Sequence, residues 1–348
     1  MKILMIGLGS VGQRHLRNIK RVYGDKFEII AFRTRRLQET FSDNMQIRDG
    51  INLEAEYGLK VYSDLSLALQ EKPDIAYITN ITSKHVNTAI ICAKAGCNLF
   101  IEKPLSNSLE NVEELKRIVS EKELIVFMGF QNRYHVCIQE TRKLLRAGTI
   151  GAIQSVDCEF SERLTTMHAY EDYRQTYMAN AAMGGGPVLN LQIHDLDLLY
   201  YLFGNPLNVF SILSKNSRLE VDVEDAALTI YTFKNDSGNV FPVYSHTDFL
   251  QYPPVHTFKI VGEQGRIEID MNKASLKVIV NGSAINDISY SDFQRNDMFI
   301  KELKDFIDCV QKKSSPEINL DQGIISLRMA LAAKQSSYEK KVINMEEI

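Results

Sequence analysis

Two side chains suited to moving a proton stand out in this sequence, a lysine and a histidine. Lys103 lies in "EKPLS", between the apolar run 98–101 and a proline, where an ammonium can polarise an oxygen or lose its proton on burial. His194 lies in the helical segment "NLQIHDLDLL" and titrates in the range of a general acid or base. Hydride transfer at a carbinol needs groups of both kinds. Each residue taken alone is ordinarily structural, so the pair is a hypothesis that needs its surroundings.

The glycine-rich segment "GLGSVG" lies between the apolar strand 2–6 and a helix that runs to Gly24. In such a loop the first glycine permits a tight turn, the second lets the backbone approach a pyrophosphate, and the third lets the helix pack closely. The helix N-terminus offers N–H groups to the anion. The sequence therefore predicts a dinucleotide site with contacts from Gly7, Leu8, Gly9, Ser10, Val11 and Gly12.

The end of the second predicted strand carries cations where an NAD site usually carries an acid, about 20 residues after the glycines. The residues there are Arg33, Thr34, Arg35 and Arg36. Guanidinium groups suit a 2′-phosphate better than a bare ribose diol. We therefore predict NADP(H) as the preferred cofactor and NAD(H) as the alternative, with a solvated basic surface as the competing interpretation.

Polar residues also follow two later strands, where a bound dinucleotide crosses a parallel sheet. Thr79, Asn80 and His85 come after the apolar strand "IAYIT", and Gln131 comes after "VFMGF". We predict that these four residues contribute to the cofactor site.

The order of the predicted elements indicates two domains. Strands alternate with helices over residues 1–125, which predicts a doubly wound parallel sheet of the Rossmann type. Mostly strands follow over 126–348, which predicts an α+β domain with a large, mostly antiparallel open sheet for substrate binding and oligomerisation. Two late helices are predicted at about 296–312 and 320–338, and they are candidates to pack against the first domain.

Composition excludes several classes of function. The chain has 348 residues, a formal net charge of −4 and 45% hydrophobic residues, which suits a globular enzyme and gives no general reason to bind nucleic acid. No window approaches the ~18 apolar residues of a membrane span. The five cysteines form no C-x-x-C pair, and "MKILMIGLG" is typical of a first strand, so we expect a reduced, cytoplasmic protein. The histidines and cysteines show no metal-ligand spacing, and no metal site is predicted.

Five segments, in order from residue 6 to residue 204, resemble the Gfo/Idh/MocA oxidoreductase family, the relatives of glucose–fructose oxidoreductase and inositol dehydrogenase. They are "GLGSVGQRHLRNI", "ITNITSKHVNTAIICAKAGCNLFIEKPLS", "VFMGFQNRYH", "AGTIGAIQSV" and "GGGPVLNLQIHDLDLLYYLFG". A series of this kind is far more specific than any one motif.

The resemblance implies an NAD(P)-dependent enzyme that oxidises or reduces a secondary hydroxyl of a sugar, cyclitol or nucleotide-linked sugar. It implies that the nicotinamide lies near Glu102 and Lys103, that Lys103 and His194 are catalytic, and that Arg133 lies by the cofactor or the domain junction. We also expect substrate contacts from Lys103, Arg133, Asn190 and His194. Because the open sheet often forms the subunit interface in this family, it also implies a homodimer or homotetramer.

One position departs from the family pattern. Asn190 stands where the family usually has an aspartate four residues before the histidine, while Asp197 remains and Asp195 is added. An asparagine on the same helix face as His194 can orient a substrate or hydrogen-bond the ring. It supplies no negative charge to raise the basicity of His194.

The segment "HAYEDYRQTYMAN" is the remaining candidate for substrate binding. Tyr173 and Arg174, with His168, Tyr170 and Tyr177 nearby, suit a sugar ring that carries a carboxylate or phosphate, so we expect a nucleotide sugar or an acidic sugar. A core cluster is the alternative for the tyrosines. Two other functions stay open: a non-catalytic NADP(H)-binding sensor or assembly partner, which Asn190 motivates, and a reductase of an imine or tetrapyrrole-type acceptor.

Overall fold

A computed structural model describes residues 1–34, 39–42 and 46–348. The chain divides into two compact units. The first unit comprises Met1–Phe130 and Phe299–Ile324, and the second comprises Gln131–Met298 and Ile325–Ile348.

The first unit contains a six-stranded parallel sheet in the order β3-β2-β1-β4-β5-β6. Its strands are β1 (Lys2–Ile6), β2 (Glu28–Phe32), β3 (Lys60–Tyr62), β4 (Ile75–Ile78), β5 (Asn98–Glu102) and β6 (Val126–Gly129). Its helices are α1 (Ser10–Tyr23), α2 (Leu53–Tyr57), α3 (Leu65–Gln70), α4 (His85–Lys94) and α5 (Val112–Glu121), with a 3₁₀ turn at Thr82–Lys84. This order confirms the predicted Rossmann-type doubly wound sheet.

Most residues of the strands are buried, because helices cover a parallel sheet on both faces, and the edge strand β3 is the exception. All four residues of β4 and of β6 are buried. An aromatic layer covers one region: Tyr77 stacks on Phe100 with 4.6 Å between ring centroids, and Phe306 packs against both Phe100 and Phe127. Phe306 belongs to the part of α9 that lies in the first unit.

The second unit is built on a nine-stranded sheet in the order β14-β13-β12-β11-β7-β10-β9-β8-β15. Its strands are β7 (Ile153–Ser161), β8 (Asn208–Ser214), β9 (Ala226–Lys234), β10 (Val240–Asp248), β11 (Val255–Gly262), β12 (Gly265–Asp270), β13 (Ser275–Val280), β14 (Ser283–Ser289) and β15 (Ile343–Asn344). β7 and β10 pair in parallel, and the other pairings found among the described residues are antiparallel. The predicted mostly antiparallel open sheet is confirmed.

The remaining helices are α6 (Val136–Arg146), α7 (Leu164–Met167), α8 (Ile193–Phe203), α9 (Arg295–Lys312) and α10 (Leu320–Glu339). The shorter turns are the 3₁₀ helices Gln131–Tyr134, Tyr173–Gln175, Tyr177–Ala179, Ala181–Met183 and Met345–Glu347, and a π-helix at Val188–Gln192. α9 and α10 each include residues of both units. Within the second unit α10 packs on the sheet, where Tyr231 donates a hydrogen bond to the carbonyl of Met329 at 3.0 Å.

Burial alternates along the strands of the nine-stranded sheet, which gives it one buried face and one accessible face. The accessible face keeps large apolar side chains, among them Ile212, Leu228 and Tyr244. No helix found in the described residues is both long and apolar enough to cross a membrane.

Strands β14 and β15 are absent from the sequence prediction. β14 reads "SAINDIS" and carries few apolar residues, so its composition resembles a loop. The turn before it holds Asn281 and Gly282, both with positive φ, and Asn-Gly is a strong hairpin signal between two strands. That dipeptide was the evidence that the prediction overlooked.

Candidate functional site

The glycine loop connects β1 to α1, and its three glycines meet different surroundings. Gly7 has φ +90°, and a Cβ there would lie 2.8 Å from the Thr79 carbonyl oxygen. A Cβ on Gly12 would lie 2.3 Å from the Gly7 carbonyl oxygen. A Cβ on Gly9 would meet no atom within 4 Å among the described residues, so the backbone there is open to a ligand. These are the three roles that the dinucleotide loop requires.

The N-terminus of α1 lies at this loop. Gly9 is the N-cap residue, and neither a side-chain cap nor an acid in the first turn is found there within the described residues. Leu8 is buried, and Ser10 and Val11 are half-buried. The first N–H groups of the helix are therefore placed for an anion, as expected for a pyrophosphate.

The end of β2 is only partly described. Arg33 is buried, and its Nη1 lies 3.0 Å from Oε1 of Glu54. Thr34 is exposed, and Arg35 and Arg36 lie outside the described residues. One of the three predicted phosphate-binding arginines is thus located, and it forms an ion pair with an acid.

Two polar residues of α1 hold the segment that follows β2, and sequence reasoning missed both. Gln13 is fully buried, donates to the carbonyl of Glu39 at 2.9 Å and accepts from the amide of Phe41 at 2.8 Å. Arg17 donates to the carbonyls of Phe41 and Ser42. The sequence did contain an indication, because polar residues interrupt the apolar face of this helix and buried polar groups need hydrogen-bond partners.

Glu102 is a buried carboxylate at the end of β5. Its Oε1 lies 2.7 Å from Nε2 of His15, and its Oε2 accepts the backbone N–H of Lys103 at 3.1 Å. Burial alone raises the pKa of this carboxyl, but the hydrogen bond from His15 and the charge of Lys103 outweigh it and lower the pKa. Glu102 is therefore ionised and holds the backbone just before Pro104, where the Lys103–Pro104 peptide bond is cis.

His85 connects the ends of β4 and β5. Its Nδ1 lies 2.8 Å from the Pro104 carbonyl oxygen, and its Nε2 lies 2.9 Å from the Asn80 carbonyl oxygen. Burial lowers the pKa of His85, while the two carbonyl acceptors oppose that change. Thr79 donates to the carbonyl of Gly7 at 2.5 Å. Thr79, Asn80, His85 and Glu102 thus lie along one rim with the glycine loop, and their contact with a cofactor stays a prediction.

His194 and Asn190 lie in the second unit, where a π-helix precedes α8. His194 is in the first turn of α8, is buried, and has its ring 5.9 Å from the ring of Phe160. Asn190 lies in the π-helix Val188–Gln192, and its Oδ1 accepts a hydrogen bond from the Tyr177 hydroxyl at 3.0 Å. The predicted α-helical spacing between positions 190 and 194 is therefore replaced by a π turn, a feature frequent at functional sites.

Arg133 forms a buried ion pair with Asp197. Its Nε and Nη2 donate to the two carboxylate oxygens of Asp197 at 2.8 and 2.6 Å, and both side chains are buried. The guanidinium also lies over the ring of Tyr201. Burial raises the pKa of Asp197 and the guanidinium opposes that change. Gln131, two residues earlier, is buried in the same 3₁₀ helix.

Arg174 is exposed and is also paired with acids. Its Nη2 lies 2.7 Å from Asp172, its Nη1 lies 2.9 Å from Glu220, and the bonds from Arg174 lower the pKa of Asp172. The Tyr173 hydroxyl accepts the backbone N–H of Glu220 at 3.2 Å. Tyr173 and Tyr177 pack against an apolar cluster that includes Phe249. His168 pairs with Glu171 and stacks on Tyr170.

Asp195 forms a buried pair that sequence reasoning missed. Its Oδ1 lies 2.8 Å from Nε2 of His256, and burial raises the pKa of Asp195 against the opposing charge of His256. The His256 ring stacks on Phe160 with 3.9 Å between centroids. Phe160 therefore lies between His256 and His194. Only strand pairing reveals this contact, because Phe160 and His256 are cross-strand partners of β7 and β11.

Two protein-family models match the chain. One describes an oxidoreductase family with an NAD-binding Rossmann fold and matches residues 1–130. The other describes the GFO/IDH/MocA C-terminal domain and matches residues 138–268. The first domain is therefore an NAD(P)-binding Rossmann domain.

Individual relatives align over almost the whole chain. Myo-inositol 2-dehydrogenase of Thermotoga maritima is 26% identical, with 100% of this chain and 99% of the relative covered. Scyllo-inositol 2-dehydrogenase (NAD(+)) of Bacillus subtilis is 24% identical, with 97% and 94% covered. The structure of levoglucosan dehydrogenase in complex with NADH has a TM-score of 0.82 at 17% identity, with 99% of each chain covered, which shows a shared fold.

Alanine at Gly9 and at Gly12 should separate ligand binding from folding. The Gly12→Ala methyl would meet the Gly7 carbonyl oxygen at 2.3 Å, so we expect a clear loss of thermal stability. Gly9→Ala should change stability by at most about 0.5 kcal/mol. It should nevertheless weaken dinucleotide binding by at least about tenfold, or ~1.4 kcal/mol, because the methyl group occupies the space of the pyrophosphate.

Thermal denaturation measures the first effect, and fluorescence titration with a dinucleotide measures the second. Unchanged dinucleotide affinity in Gly9→Ala would contradict the placement of the pyrophosphate over this glycine.

Proposed function

The chain belongs to the Gfo/Idh/MocA family of NAD(P)-dependent oxidoreductases, and from that premise we propose that it transfers a hydride between the nicotinamide and a secondary hydroxyl or ketone of a cyclitol or neutral sugar. The observation that carries the proposal is the rim at the ends of β1, β4 and β5. There the open glycine loop and Lys103 are fixed in the same unit by the His15–Glu102 and His85–Pro104 contacts.

We assign Lys103 the role of the cation at the reacting oxygen. The ionised Glu102 carboxylate holds the lysine backbone, and the charge of Lys103 contributes to the lowered pKa of Glu102. An ammonium at that point can donate a hydrogen bond to the oxygen as negative charge develops on it. When the nicotinamide cofactor is bound, it supplies the hydride acceptor or donor.

We assign His194 the role of the proton acceptor during oxidation of the alcohol and of the proton donor in the reverse direction. It lies in the first turn of α8, where the following buried acids Asp195 and Asp197 are bonded to His256 and Arg133. Asn190 and Tyr177, joined by their hydrogen bond, are placed to orient substrate hydroxyls.

The charges around the two candidate arginines support an uncharged substrate. Arg133 is held by Asp197, and Arg174 is held by Asp172 and Glu220. A substrate carboxylate or phosphate would have to compete with these acids for the guanidinium groups. A polyol needs only hydroxyl and amide partners, and two of the relatives are named as inositol dehydrogenases. We therefore favour a cyclitol or neutral sugar over the acidic and nucleotide sugars that the sequence suggested.

Substitution of the two assigned residues tests the reaction. Lys103→Ala and His194→Ala should each lower kcat for a cyclitol or sugar substrate by about 10²–10⁴-fold, because each removes a group that handles proton or charge in the transition state. The control is Lys94→Ala, which removes an exposed ammonium that pairs with Glu114 outside the assigned site. Nicotinamide absorbance follows turnover, and titration with the dinucleotide verifies cofactor binding in each variant.

Full turnover in both Lys103→Ala and His194→Ala would refute the assigned roles. Tight NADPH binding by the unmodified protein, with no turnover across a panel of cyclitols and sugars, would favour the non-catalytic binding function.

We propose NADP(H) as the preferred cofactor, on the basis of the three arginines Arg33, Arg35 and Arg36 in the sequence after β2. A 2′-phosphate would have to compete with Glu54 for Arg33, so the proposal depends on the cationic segment as a whole. Arg33→Ala should weaken NADP(H) binding by about 10–100-fold, the loss expected for hydrogen bonds to a charged group, and leave NAD(H) affinity within about twofold. Glu54→Gln is the matched variant, since it removes the charge that pairs with Arg33 while keeping the size of the side chain. Fluorescence titration with both dinucleotides gives the ratio of the two dissociation constants. An equal affinity for NAD and NADP that Arg33→Ala leaves unchanged would rule out the preference.

We further propose a homodimer or homotetramer that forms through the accessible face of the nine-stranded sheet. Ile212 on that face is 58% exposed, and Leu67 in the first unit is 49% exposed. Ile212→Glu should shift the protein to monomer, because it places a charge in an apolar interface, while Leu67→Glu should leave the mass unchanged. Light scattering coupled to size exclusion measures the mass. One mass for both variants and the unmodified protein would contradict this interface.

A further inference from the structure

Three side chains with metal-binding atoms meet on the sheet of the second unit, outside the residues assigned above. Glu159 on β7 and His246 on β10 are partners in the parallel register, and Asp248 lies two residues beyond His246 on the same face. One ligand atom from each residue lies within 4.8 Å of the others. Glu159 and His246 are 87 residues apart in the chain, which is why spacing in the sequence predicted no such group.

The imidazole of His246 faces a carboxylate on each side. Its Nδ1 lies 3.2 Å from Oε1 of Glu159, and its Nε2 lies 3.5 Å from Oδ2 of Asp248. A neutral imidazole carries only one N–H, so its other nitrogen would turn a lone pair toward a carboxylate oxygen. The Asp248 side chain is only 6% exposed, and the Glu159 side chain is 31% exposed. Two carboxylate oxygens and an imidazole nitrogen thus converge on one position, as they do in sites that bind a cation.

The loop after β10 holds the carboxylates in place. Oδ1 of Asp248 accepts the backbone N–H groups of Leu250 and Gln251 at 2.8 and 2.9 Å. The side-chain amide of Gln251 donates to Oε1 of Glu159 at 2.5 Å and to Oδ2 of Asp248 at 2.9 Å. Hydrogen bonds of this kind orient metal ligands and restrict their motion.

We propose that Glu159, His246 and Asp248 bind a divalent transition-metal ion such as Zn²⁺ or Mn²⁺. A divalent charge balances both carboxylates, whereas a proton on His246 balances one. Mixed imidazole and carboxylate ligands suit this class of ion. Three protein ligands leave a position for water. Glu159 and His246 are partly exposed in the single chain and lie in register with Leu228 and Ile212, so the ion would bind at the sheet face proposed as the subunit interface. The bound ion would join β7, β10 and the loop at Gln251.

This site is independent of the hydride-transfer function. Phe160 points to the other face of the sheet, where its ring stacks on His256 and lies near His194. The ion is therefore assigned a structural role in the sheet and no part in the reaction.

The test is a metal titration of the full-length protein after treatment with a chelator. Isothermal titration calorimetry with Zn²⁺ and with Mn²⁺ should show saturable binding of a single ion per chain, and saturation should raise the melting temperature. His246→Ala and Glu159→Gln should each weaken the affinity by at least about tenfold. His168→Ala is the matched control, because His168 also pairs with an acid, Glu171, but outside the three-ligand group.

Saturable binding that is weakened in His246→Ala and Glu159→Gln and retained in His168→Ala supports the site. The absence of saturable binding of either ion in the unmodified protein overturns it. Binding that is unchanged in both site variants also overturns it. Glu159→Gln keeps the size of the side chain, so it gives a result even where His246→Ala does not fold.

Discussion

Burial of the Glu102 carboxylate is the constraint on which the first unit depends. An ionised carboxylate that is 5% exposed is costly unless other groups satisfy it. His15 and the Lys103 amide do so, and they belong to different elements. His15 comes from the helix that begins at the glycine loop, and Lys103 follows β5. The same interaction therefore fixes the pyrophosphate loop relative to the lysine.

In the second unit, buried carboxylates of helix α8 are likewise satisfied by residues from other elements. Asp195 and Asp197 are buried and bonded to His256 and Arg133, which come from other elements. The fully buried Gln192 donates to Ser245 on the sheet at 2.9 Å. These bonds anchor the helix at positions on both sides of His194. An imidazole in that place keeps its orientation because its neighbours in the chain are held by polar contacts that are expensive to break.

The sequence predicted what depends on local pattern and could not predict what depends on strand pairing. Periodicity and glycine spacing were enough for the parallel sheet and for the close packing at Gly7 and Gly12, because those features are set by local pattern. The contacts Asp195–His256 and Glu159–His246 arise only once β7, β10 and β11 lie side by side. The π turn at Asn190 was also beyond reach, since its apolar pattern matches an ordinary helix.

The arginines that the sequence indicated as anion-binding residues show the same limit of prediction from sequence. A guanidinium in a sequence indicates a site for an anion, but it does not say whether the protein already supplies that anion. Arg33, Arg133 and Arg174 each meet a carboxylate of the chain itself, and those acids lie 21, 64 and 46 residues away for Glu54, Asp197 and Glu220.

Asn190 is best understood from the charges that surround it. An aspartate at this position could accept the same hydrogen bond from Tyr177, but it would add a further carboxylate to a helix end that already buries Asp195 and Asp197. Each additional buried charge requires its own partner, and like charges oppose one another. Asparagine keeps the acceptor for Tyr177 without that cost. The electrostatic environment of His194 then depends on Asp195, Asp197 and the dipoles of the π turn, so that loss of the expected acid at position 190 is compatible with a working acid–base residue.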